Sequence, residues 1–125
     1  MRLAICFAGI SGFLAVFLAA GAAHDLQELL DAKALERIDT GVRYQIWHAL
    51  AILAAAALAV RGVSRALRLA AGAFAVGTLL FSGGLYLLAF TGLTPFGWLA
   101  PVGGLAFMVG WAALFWHGWR MVGDG

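Results

Sequence analysis

The sequence predicts an all-α integral membrane protein, four helices packed as a single bundle over residues 1–125. Two observations carry this. Hydrophobic residues make up 64% of the chain and Asp, Glu, Lys and Arg only 11%, against ~25% charged in an average soluble domain. Charges are also absent from four long runs, at about 3–23, 44–60, 69–90 and 99–116. Each is close to the ~20 apolar residues that a helix needs to cross ~30 Å of hydrocarbon. Little chain is left for a soluble domain. The lipid bilayer is therefore the first expected partner. The net charge of +2 sits in short loops, where it sets orientation and does not suggest nucleic acid.

The first run follows Arg2. Its Ala20-Gly21-Ala22 end has the shape of a signal-peptide cleavage site, but the run exceeds the ~7–15 residues of a signal-peptide core. It reads as a retained helix, with Gly9, Ser11 and Gly12 as a packing surface. The lone Cys6 excludes an internal disulfide and any cysteine-built zinc or iron–sulfur site. His24 closes this helix. In the following loop, Leu26, Leu29 and Leu30 lie opposite Asp25, Gln27 and Glu28, which predicts a short amphipathic turn at the interface.

Asp31 is a good N-cap, and nothing breaks the helical pattern from about residue 32 to Arg61. The second helix is thus expected to extend into the outer loop. On a 3.6-residue repeat, Arg37, Thr40, Gly41, Tyr44, Gln45 and His48 share an arc of about 140°. This polar stripe should face protein, because lipid cannot satisfy its hydrogen bonds.

Arg61, Arg65 and Arg68 fill the next loop without an acid. The third span repeats a polar stripe at Thr78, Ser82 and Tyr86, beside Gly72, Gly77, Gly83 and Gly84. The fourth opens on Pro101, a favourable first-turn residue, followed by Gly103, Gly104 and Gly110. Together with Gly41, these glycines predict a tight bundle whose small-residue faces meet. Trp98, Trp116 and Trp119 suit interfacial belts, with His117 in the same belt, while Trp111 and the phenylalanines fill volume or face lipid. Arg2, Arg61, Arg65, Arg68 and Arg120 fall on one side and Lys33, Arg37 and Arg43 on the other. The positive-inside rule then places both termini in the cytoplasm.

The candidate polar cluster comprises His24, Tyr44, Gln45, His48, Ser82 and Tyr86, expected under the first loop. Two histidines fall short of the three or four ligands of a stable zinc site, so neither a metal nor a cofactor is expected. The four spans hold no Asp, Glu, Lys or Arg, which disfavours a proton-driven exporter. No phosphate loop, zinc-protease helix or nucleophile motif occurs.

Several ordered motifs carry a resemblance. They are Gly21-Ala22-Ala23-His24, Thr40-Gly41-Val42-Arg43-Tyr44-Gln45-Ile46-Trp47-His48-Ala49-Leu50, Leu80-Phe81-Ser82-Gly83-Gly84-Leu85-Tyr86 with Thr91-Gly92, and Pro101-Val102-Gly103-Gly104 with Gly110-Trp111. In this order they resemble the small bacterial inner-membrane proteins of the YgdD type, domain-of-unknown-function family 423, related to vertebrate transmembrane protein 256. The chain departs from that pattern at Ala22, at Gly41 and at Ala100, where the family usually has threonine. The resemblance implies a four-helix inner-membrane protein and no established activity. The first expectation is a non-enzymatic accessory, assembly or scaffold protein with a membrane-protein partner or a second copy of itself. A ligand site for a metal, haem or quinone in the His/Tyr/Gln cluster is the alternative, and an oligomeric small-solute transporter the third.

Overall fold

The computed structural model describes residues 1–123; the last two residues of the 1–125 domain lie outside them. Four long helices, α1 (Arg2–Ala23), α3 (Ala32–Leu58), α4 (Arg65–Thr91) and α5 (Leu99–Gly123), are joined by short connections. A single-turn helix α2 (Leu26–Leu29) bridges α1 and α3, and 3₁₀ turns at Ala59–Arg61 and Thr94–Trp98 close α3 and open α5. Each long helix, with its flanking turn where it has one, is long and apolar enough to cross a membrane. No strand occurs among the described residues.

Local chemistry sets the helix ends. The Asp31 carboxylate accepts the Ala34 N–H at 2.8 Å and starts α3, well before the uncharged run at Tyr44. Ser64 does the same for α4, its Oγ accepting the Leu67 N–H at 3.1 Å. Gly92 stops α4 in the left-handed conformation at φ +68°, which glycine adopts without a Cβ clash.

The helices α3 and α4 form the centre. α1 packs mainly on α3 and α5 mainly on α4, whereas α1 and α4 touch only slightly. Half of the apolar window of α3 is buried, against 17% for α1. One core gathers Ile52, Phe74 and Phe107, and a second joins Ala15, Ile38, Val42 and Ala89. Large apolar side chains such as Phe13, Phe17, Leu105 and Phe115 point outward, as lipid-facing positions do.

The glycines divide into two groups. A Cβ on Gly103 would collide with the Phe81 backbone, one on Gly77 with the Phe107 ring, and one on Gly110 with the Phe74 ring. A Cβ on Gly84 would stand 2.8 Å from Leu99 Cβ, and one on Gly41 2.6 Å from the Tyr86 ring. Gly9, Gly12, Gly83 and Gly104 differ from expectation, since a Cβ there would meet nothing within 4 Å. The cause is angular. α1 buries Ala8, Ser11 and Ala15, and the residue next to a contact position is rotated ~100° away from it. Gly104 and Gly83 are each adjacent to a packed glycine and so miss the seam.

Candidate functional site

Gln45 is the most connected polar side chain of the interior. Its Nε2 donates to the Ser11 carbonyl of α1 at 2.8 Å, and its Oε1 accepts the Tyr86 hydroxyl of α4 at 2.6 Å. One amide of α3 therefore ties three helices together. Glutamine suits this position because its amide carries both donors and an acceptor. The Ser11 carbonyl has a second lone pair beyond its helical bond. Beside this junction, the Ser82 hydroxyl donates to the Gly41 carbonyl at 2.7 Å. Missing a side chain, Gly41 lets the Tyr86 ring lie against α3. The hydroxyls of Ser11 and Thr78 are buried without a partner. Both residues line a slack cavity of about 280 Å³ between α1 and α4.

His48 is buried one turn further along α3, about 60° around the helix from Gln45. Its Nδ1 lies 2.7 Å from the Tyr44 carbonyl; a carbonyl only accepts, so Nδ1 carries the proton. Nε2 is then the acceptor, and it receives the Trp111 indole N–H at 3.2 Å. The ring stacks on Phe107 with centroids 3.5 Å apart and an interplanar angle of 5°. Tyr44 contributes its carbonyl and its ring, which lies 4.4 Å from that of Phe81. These residues, with Trp47, line an aromatic groove of about 620 Å³ between α3 and α5.

The single cluster expected from sequence is therefore two neighbouring bonded groups on one broad face of α3, turned towards different helices. Gln45, Ser82 and Tyr86 meet on the α1/α4 side, and Tyr44 and His48 on the α5 side. An arc of about 140° is wide enough to reach both flanking grooves. His24 joins neither. It is exposed at the end of α1, where its neighbours Ala22 and Ala23 line one cavity with Ile38, Asp39 and Val42. From Val42 to His48 the helix rises a further ~9 Å. Among the described residues no group of three or more His, Cys, Asp or Glu could hold a metal ion.

Two partners in these bonds, the Ser11 carbonyl and the Trp111 indole, lie outside the cluster expected from sequence. The Ser11 carbonyl is a backbone atom and leaves no residue-type signal. Trp111 does leave one, because a mid-span indole N–H away from the interfaces requires an acceptor. Chemically, the first site fixes helix register. The second holds a neutral imidazole with both nitrogens engaged, and metal ligation through Nε2 would displace the Trp111 bond.

Comparison with known proteins gives one consistent answer. A model of the family described as "Protein of unknown function (DUF423)" matches residues 18–104, a stretch that includes Gln45, His48, Ser82 and Tyr86. The chain is 47% identical over 105 residues to a UPF0382 membrane protein of Haemophilus influenzae, covering 84% of each. It is 42% identical over 113 residues to the UPF0382 inner membrane protein YgdD of Escherichia coli (strain K12), covering 90% of this chain and 86% of that one. The UPF0382 membrane protein YwdK of Bacillus subtilis is 36% identical over 113 residues, with 89% and 91% covered. No solved structure matches the chain.

Proposed function

Because this chain belongs to the bacterial inner-membrane protein family of unknown function DUF423, we propose that it is a non-enzymatic accessory or assembly protein. Its partner is another membrane protein or a second copy of itself. Both termini and the arginine loop lie on the cytoplasmic side, following the positive-inside bias. The observation that carries the reading is the Gln45 amide, engaged at once with the Ser11 carbonyl and the Tyr86 hydroxyl. Buried polar groups used in this way fix helix register and leave the lateral surfaces of the bundle to make contacts. α1 supports the same reading, with Phe13 and Phe17 outward and few contacts beyond α3.

A second reading has its own observation. The groove between α3 and α5 is walled by Tyr44, Trp47, Phe107 and Trp111, a lining that suits a flat apolar ring such as a quinone. Photo-cross-linking from Phe13 in native membranes separates the two. The accessory reading expects a discrete adduct with a partner or a second copy, and a strictly monomeric product counts against it. Absorbance and metal analysis of the purified protein should show nothing that His48→Ala removes; a stoichiometric chromophore or metal lost in that variant would establish the ligand reading instead.

A further inference from the structure

The largest cavity described above for the polar sites is exceeded by one at the opposite end of the bundle. There, a space of about 890 Å³ opens between the start of α4 and the last turns of α5, within the ~300–1,000 Å³ of small-molecule pockets. Its lining combines outward-facing apolar side chains, Leu69 and Trp116, with Arg65, Arg120, Ser64 and His117. The electrostatics there have one sign. Arg65 is the first residue of α4, where the helix macrodipole is also positive. The first turn of α4 contains no acid. Asp25, Glu28, Asp31, Glu36 and Asp39 all lie in the segment at the other end of the bundle, and Asp124 lies outside the described residues. Among the described residues the only ion pair, Arg43 with Asp39, is at that other end too.

Ser64 adds a second element. Its Oγ accepts the Leu67 amide and stands 3.1 Å from His117 Nδ1. A hydroxyl carries one proton and two lone pairs, so Ser64 can serve the Leu67 amide and the His117 ring at once. Two arginines, a helix N-terminus and the Ser64–His117 pair thus meet at a cavity whose lining holds no acid among the described residues.

We infer that this cavity binds an anionic phospholipid. The Arg65 and Arg120 guanidiniums receive the phosphodiester, whose oxygens match their planar donor forks. The acyl chains run along Leu69 and Trp116 towards the hydrocarbon. Basic pockets between transmembrane helices are a recurring solution for acidic headgroups, and an indole at headgroup level suits Trp116. A water-soluble phosphate would answer the charges and leave the apolar wall uncovered, so lipid is the occupant that fits both parts.

Native mass spectrometry tests this on the full chain, offered equimolar phosphatidylglycerol and phosphatidylethanolamine with matched acyl chains. The wild type should retain phosphatidylglycerol preferentially. R65Q/R120Q should lower that preference by about fivefold per arginine, and R65K/R120K, which keeps the charge and loses the fork, should fall between that variant and the wild type. R61Q/R68Q removes the same charge from the same end but outside the cavity lining, and should change the preference less than about twofold. No preference in the wild type, or an equal loss in R61Q/R68Q, overturns the site. Displacement of the retained lipid by millimolar glycerol phosphate would also overturn it, since the cavity would then take a free phosphate ester.

Discussion

Along the α4–α5 seam, three glycines each face a phenylalanine. Gly77 meets Phe107, Gly103 meets Phe81 and Gly110 meets Phe74. Where α1 meets α3, glycines are equally available, yet Gly9 and Gly12 look into open space. The contact there is made by Ala8 and Ala15 and by the Gln45 amide reaching the Ser11 carbonyl. One seam is close steric packing and the other is looser, pinned by hydrogen bonds. Lipid tails give helices no hydrophobic reason to associate, so contact geometry and interhelical bonds must hold them. A glycine contributes to such a contact only where a bulky neighbour occupies the space it leaves.

The sharpest way to break this comparison is Gly103→Val. Its Cβ would collide with the Phe81 backbone, which cannot swing away as a side-chain tip can. A loss of about 3 kcal/mol or more is expected, measured by unfolding of the detergent-solubilised protein. A variant of wild-type stability would show that the seam is slack. At the opposite extreme stand Gly9→Ala and Gly12→Ala. With open space around both positions and better helix propensity for alanine, each should stay within about 1 kcal/mol of wild type, in the stabilising direction. A marked loss in either would mean that α1 uses those glycines after all, against a partner or a second copy.

The architecture is readable from sequence because the bilayer imposes length and apolarity on every span. The extension of α3 beyond its uncharged run is readable for a local reason, the Asp31 cap. Which glycines pack is not readable, since Gly103 and Gly104 differ only in the angle at which they meet α4. The polar stripe of α3 is visible as a stripe, but its division is not. Gln45 and His48, three residues apart and on one face of α3, nonetheless bond to different helices, Gln45 to the Ser11 carbonyl of α1 and His48 to the Trp111 indole of α5. That placement depends on contacts distant in sequence. His24 illustrates the same limit, because closing α1 beside the first loop does not bring it to the level of His48.

The central claim is that the bonded interior side chains, Gln45, His48, Ser82 and Tyr86, join helices. A double-mutant cycle on Gln45→Leu and Tyr86→Phe, read by reversible unfolding in detergent, tests it most directly. Each single change leaves one partner of the 2.6 Å bond unpaired, and the double variant removes both. The account predicts a coupling energy of at least ~0.6 kcal/mol, the average for hydrogen bonds between membrane helices, and no more than the ~1.7 kcal/mol maximum. Strictly additive losses, with a coupling near zero, would contradict it.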